Sequence, residues 1–213
     1  MTYRHISLAV ITAAALSLAG PVCAAPAAHN HMAPVTAGKV VETKNALRDL
    51  WVGHVFWVRN VVVETLDGNA AAAKVAEGQV VANARQIAAS IEPFYGKAAS
   101  DRLFTLLAGH YGAVKEYLNA TDSAAQDAAF KKLAANAEEI AKFLGGANPN
   151  LPVDTLKALL LAHGGHHIEQ IRQLRNKDYA GEAKTWELMK QHMYVIADAL
   201  VDGIAKQFPA KFI

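Results

Sequence analysis

The sequence predicts an all-α protein: a six-helix bundle of three consecutive helical hairpins with an internal pseudo-threefold repeat. Three observations carry that prediction. Leu-rich segments bearing a histidine recur, LRDLWVGHVFWVR around His54, LFTLLAGHYGAVKEY around His110 and LKALLLAHGGHHIEQI around His163, at spacings of 56 and 53 residues. A second series interleaves at spacings of 53 and 56: Asn83, Asn136 and His192, each followed four residues on by an isoleucine, Ile87, Ile140 and Ile196. The composition is 53% hydrophobic, with glycine and proline gathered at breaks and little strand-like alternation. A fixed-period recurrence of this length marks a repeated supersecondary unit.

The elements follow in order from apolar periodicity. The first helix is expected over about Asn45 to Thr65, with Leu47, Leu50, Trp51, His54, Val58 and Val61 on one face. Asp67-Gly68-Asn69 breaks the chain, and a second helix over about Ala70 to Ile91 turns Ala76, Val80, Asn83 and Ile87 inward. Pro93 ends it, and Ser100-Asp101 is the expected cap of a third helix with Leu103, Leu107, His110, Val114 and Tyr117 in its stripe. Thr121-Asp122-Ser123 introduces a fourth helix carrying Leu133, Asn136, Ile140 and Leu144. After the loop Gly145 to Pro149, Asp154 is the expected cap of a fifth helix with Leu156, Leu160, His163, His167 and Ile171 on one side. Lys177 to Gly181 forms the last hairpin loop. The sixth helix then runs to about Gly203 or Ala205, with Met189, His192, Ile196 and Leu200 inward.

The N-terminus reads differently. Arg4 and His5 precede an apolar run from Ile6 to Gly20, and Val22-Cys23-Ala24 offers small residues for cleavage. This is the pattern of a secretory signal peptide over residues 1–24, too short for a membrane span. Its removal would take Cys23 with it and leave a periplasmic or secreted chain without a thiol. Residues 25–42 read as a flexible arm, whose His29, His31 and Met32 offer ligands suited to Cu or Zn. Residues 43–213 are the bundle domain.

The formal net charge of +2, without a basic block, argues against nucleic acid as a partner. The bundle holds no expected membrane span, and no protein partner can be read from it. Attention falls instead on polar residues placed in apolar stripes. Helical bundles build metal sites from side chains on facing helices. The expected metal ligands are His54, His110, His163, His167 and His192, with Asn83 and Asn136 as residues supporting them. His163 and His167, four apart, share a helix face. Counted from Tyr179, His167 and His192 fall nearly level, so these two are expected to be close. Imidazoles without thiolates suit Zn, Cu, Ni or Fe. His166, Met193, Glu116 and Glu169 are weaker candidates for roles around such a site. The paired Glu-x-x-His of di-iron bundles, a Cys-x-x-Cys-His haem attachment, a phosphate loop and a nucleophile elbow are all missing from the sequence.

LWVGHVFWVRNVV, IEPFYGKAASDRLFTLLAGH and IADALVDGIAKQFPAKF resemble a bacterial family of small all-helical proteins without a settled function. Its members read Leu-Trp-x-x-His-Val-x-Trp-x-Arg, Pro-Phe-Tyr-Gly and Asp-Gly-Ile-x-Lys-Gln-Phe-Pro. The resemblance covers about residues 45–212 and implies a helical fold. Some members carry an acetylglutamate kinase label, but nothing here resembles a nucleotide site. Members often place an acidic residue before the repeated histidine, where this chain has Gly53, Gly109 and Ala162.

Three functions fit the pattern. The first is an exported helical bundle binding a transition metal through inward histidines. The second is a structural or interaction module with a buried His/Asn hydrogen-bond network and no metal. The third is a metal-dependent enzyme whose reaction the sequence does not specify.

Overall fold

The computed structural model describes residues 36–213. The signal-like segment, Cys23, His29, His31 and Met32 lie outside the described residues. Six long helices form the bundle: α1 (Ala37–Leu66), α2 (Ala70–Ala89), α4 (Lys97–Asn119), α5 (Ser123–Ala147), α6 (Val153–Arg175) and α7 (Tyr179–Gln207). A single turn, α3 (Glu92–Tyr95), precedes α4, and a 3₁₀ turn, Pro209–Lys211, follows α7. The described residues contain no strand. The all-α bundle expected from periodicity is therefore present.

Three antiparallel pairs make up the ring: α1 with α2, α4 with α5, and α6 with α7. Between pairs, α2 packs on α4, α5 on α6, and α7 returns to α1, while α6 also touches α1 and α4. Helices α1, α4 and α6 thus bring their apolar stripes together. No described helix is long and apolar enough to cross a membrane.

Local chemistry sets the helix starts. Asn69, Asp122 and Asp178 cap α2, α5 and α7, their side chains accepting from the main-chain N–H of Ala72, Ala125 and Gly181. The preceding turns need a left-handed residue at Gly68 (φ 76°) and at Lys177 (φ 57°). Helices α1, α4 and α6 start without a side-chain cap. Two expected caps therefore differ. Helix α4 begins at Lys97, which leaves Ser100 buried inside it, and Asp154 lies in the first turn of α6 after Pro152. Helix α1 begins at Ala37, so residues 37–42, read as arm, are helical. Thr36 explains the earlier start, because its N–H donates to the Phe212 carbonyl (2.8 Å) and ties this end to the C-terminus.

The apolar core falls into two clusters. One includes Leu47, Trp51, Leu103, Leu107, Leu156, Leu160, Ile140 and Ile196. The other includes Val58, Val61, Val80, Val114, Tyr117, Leu133 and Ile171. Along α1, α4 and α6 the histidines fall between the two, so the clusters are separated by an imidazole layer.

Two glycines test how tightly the helices are set. A Cβ at Gly145 would lie 2.6 Å from Val153 Cγ2 and 2.9 Å from the Leu151 carbonyl oxygen, whereas one at Gly112 meets nothing within 4 Å. Gly112→Ala should raise stability by up to about 1 kcal/mol through helix propensity. Gly145→Ala should lower it by about 1–3 kcal/mol, because overpacking against backbone outweighs that gain. Urea unfolding of both variants checks the pair; equal shifts would contradict the close approach of α5 and α6.

Candidate metal centre

Four imidazoles meet inside the ring. His54 comes from α1, His110 from α4, and His163 and His167 from α6, with one nitrogen from each lying within 4.8 Å of the others. All four side chains are buried, at 4%, 4%, 1% and 2% exposure. Ring centroids are 4.5 Å apart for His163 and His167, 5.2 Å for the stacked His110 and His163, and 5.6 Å from His54 to both His163 and His167. The group could hold a metal ion. Four nitrogens around one ion at 2.0–2.1 Å would sit about 3.4 Å from one another, so each imidazole would move inward by less than about 1 Å.

The imidazoles do not satisfy one another. His54 Nε2, His110 Nε2, His167 Nε2 and both nitrogens of His163 are buried without a hydrogen-bond partner. Leaving a buried polar atom unpaired costs about 1–3 kcal/mol. The Trp51 indole N–H is also unpaired, and its ring stands edge-on to His54 and His163 at 6.0 and 6.3 Å. An indole N–H only donates, so Trp51 borders the centre without being a ligand.

Helix-to-helix clamps hold the histidine turns in place. Asn83 Nδ2 donates to the Leu50 carbonyl (2.9 Å), Asn136 Nδ2 to the Leu106 carbonyl (3.0 Å), and His192 Nε2 to the Leu159 carbonyl (2.8 Å). Those carbonyls precede His54, His110 and His163 by four residues, so each also faces the main-chain N–H of its histidine. A carbonyl oxygen has two lone pairs and accepts both. The clamps need close approach: a Cβ at Gly53 or Gly109 would lie 3.1 Å from the Asn83 or Asn136 Nδ2. Where the longer imidazole of His192 does the reaching, the small residue is Ala162.

Of the five histidines expected as ligands, the structure brings His54, His110, His163 and His167 together. His192 stands apart, half-buried, with its ring 5.5 Å from His166 rather than beside His167. The hairpin turns at Asn176–Asp178, not at Tyr179, which brings His192 level with the turn before His163. Asn83 and Asn136 support the centre through helix carbonyls and hydrogen-bond no imidazole. Met193 is fully buried in the first apolar cluster. Glu116 and Glu169 are surface residues paired with Lys132 (2.6 Å) and Arg172 (3.7 Å).

One buried ion pair was not visible in the sequence. Glu182, 3% exposed, receives Arg59 through two hydrogen bonds (2.6 and 2.9 Å) and Gln170 through one (3.1 Å). Gln170 lies one turn beyond His167, so this network borders the imidazole layer along α6. With Arg59 paired to it, the Glu182 carboxylate brings no net negative charge to the centre. In the sequence, Arg59 stood out only as the last residue of the Leu-Trp-x-x-His-Val-x-Trp-x-Arg pattern.

Burial pushes the His54 imidazole down to about 3, with His110 adding in the same direction, and the His110 imidazole down to about 4. Burial, reinforced by neighbouring imidazoles, holds His163 and His167 well below the usual value of 6.5. All four are therefore neutral at pH 7, the form in which imidazole binds metal.

The linkage has a definite sign. Below about pH 6.5 the unfolded chain takes up protons that these buried imidazoles refuse, so stability is full above that pH and falls as the solution is acidified. Glu138, held at about 2 by Lys142 and Lys157, stabilises the fold above its ordinary 4.5 and loses that contribution only as the pH falls below it. Metal-free protein should therefore lose stability between about pH 6.5 and 4.5, above the range in which Glu138 adds its own loss. Denaturant midpoints at pH 7.5, 6 and 5 measure this; a flat profile would contradict the burial of neutral imidazoles.

The chain matches no family model, no curated protein and no solved structure, so its function must be argued from the geometry of this centre.

Proposed function

We propose that the protein is an exported helical bundle that binds one transition-metal ion, of the Zn, Cu, Ni or Fe class, through His54, His110, His163 and His167. The carrying observation is the convergence of four buried imidazoles with five unpaired nitrogens. A hydrogen-bond network would have paired those atoms, as helix carbonyls pair Asn83 Nδ2, Asn136 Nδ2 and His192 Nε2. Unpaired lone pairs at this density favour the metal-binding reading over a purely structural core. Four protein ligands also fill a tetrahedral shell, the pattern of binding and structural sites, whereas catalytic sites keep one position open. The repeat and the resemblance to the bacterial family belong to the same proposal. Three Asx caps and three carbonyl clamps at matched spacings support three related hairpins.

The experiment compares untagged wild type with His163→Leu. Wild type should take up about one metal ion per chain in calorimetric titration with Zn or Cu, with a rise in Tm. His163→Leu should bind no stoichiometric metal. Without metal it should be at least as stable as wild type, by up to about 3 kcal/mol, because a buried unpaired group is replaced by an apolar one. A wild type that takes no metal, together with a destabilised His163→Leu, would favour the core-network reading instead.

Export rests on the signal-like sequence of residues 1–24, whose removal would take the single cysteine, Cys23, with it. Mass spectrometry of the protein from its native host should find a mature N-terminus after Ala24 or within a few residues of it. Retention of Met1, or a lipid on Cys23, would contradict export by cleavage.

A further inference from the structure

The same bundle encloses a second feature, on the side of the imidazole layer nearer the starts of α1, α4 and α6. A cavity of about 120 Å³ lies there, lined almost wholly by apolar side chains. Equivalent positions of the three hairpins surround it: Leu47, Leu103 and Leu156 at one level, Trp51, Leu107 and Leu160 at the next. The second triad lies three residues before His54, His110 and His163, about 4–5 Å along the helix axes from the histidine level. The cavity therefore sits next to the centre, with one layer of side chains between them.

Its wall has little to offer a polar guest. Its three hydroxyls are already engaged: Thr43 Oγ1 donates to the Lys39 carbonyl (2.8 Å), Ser90 Oγ to the Ile87 carbonyl (2.7 Å) and Tyr95 Oη to Gln207 Oε1 (2.8 Å). The Trp51 indole supplies a single unpaired N–H. An apolar cavity of about 150 Å³ engineered in another protein stays dry and takes up benzene or xenon. This one is close to that size and comparably apolar.

The far end is closed by aromatics from two separate segments. Phe94 of α3 stacks on Phe212 (5.8 Å) and packs on Phe208 (5.6 Å). Tyr95 fastens this lid: it bonds Gln207 and receives Asn148 Nδ2 (2.9 Å), while Gln207 Nε2 donates to the Ala147 carbonyl (3.0 Å). Of the lining residues, Ala46 is exposed and Thr43 and Ser90 are half-buried.

We propose that this cavity is a binding site for a compact, uncharged apolar molecule of about the size of benzene, held against Trp51 beside the imidazole layer. The site does not depend on metal being bound. Filling it recovers the dispersion contacts that the lining lacks, which is the physical source of affinity.

Methyl NMR on the full mature chain, titrated with xenon and separately with benzene, tests the proposal. Saturable shifts are expected for Leu103, Leu107 and Leu156, with those of Val61 and Val80 in the other cluster unmoved. Benzene should also raise Tm and quench or shift Trp51 fluorescence. Leu103→Phe, which places a ring in the space, should weaken both guests at least tenfold and leave metal uptake intact. Shifts that grow linearly without saturation, or that fall equally on both clusters, would overturn the proposal. So would undiminished affinity in a folded Leu103→Phe. Metal titration of the same samples reports separately on the four-histidine centre.

Discussion

Five imidazole nitrogens without partners, closed inside an apolar ring, set the terms for the rest of this structure. Burying them opposes folding, since each unpaired atom gives up its bonds to water. The chain tolerates that by surrounding the imidazole layer with two apolar clusters and by fixing the backbone on which the histidines stand. The Asn83, Asn136 and His192 clamps do the fixing. Each joins the second helix of a hairpin to the first at the turn that presents a histidine. Preorganisation of this kind lets a ligand set converge without first being ordered by the ion.

Charge narrows what the centre can accept. The four donors are neutral, and the buried carboxylate bordering their layer along α6, Glu182, is committed to Arg59 and Gln170. A dication bound here would keep its full charge within the ring. Hard cations such as Mg or Ca, which take oxygen ligands, are poorly served by this set. Ions that form strong bonds to imidazole nitrogen offset the loss of hydration best. With no carboxylate among the four imidazoles, protonation of the imidazoles would directly control the affinity for any ion bound there.

Much of the fold was legible because the apolar stripes repeat at helical spacing and the breaks carry Gly, Asn, Asp and Pro. The centre was legible for the same reason: His54, His110 and His163 hold equivalent stripe positions, and His167 follows at one turn. His192 was a different case. It falls at the spacing set by Asn83 and Asn136, and like them it bonds the helix carbonyl four residues before a histidine, so its spacing groups it with the clamps. Residue type pointed toward the metal and spacing pointed away, and the spacing prevailed. The Arg59–Glu182 pair joins residues far apart in the chain and left no periodic trace. The start of α1 depends on a bond to Phe212 at the other end of the protein, which local pattern cannot carry.

X-ray absorption at the metal edge of stoichiometrically loaded protein tests the central claim most directly. The account predicts a first shell of four imidazole nitrogens at about 2.0–2.1 Å, with the multiple-scattering signature of histidine rings and no sulfur. A shell dominated by oxygen, or one holding only one or two imidazoles, would place the ion elsewhere on the chain and contradict the four-histidine centre.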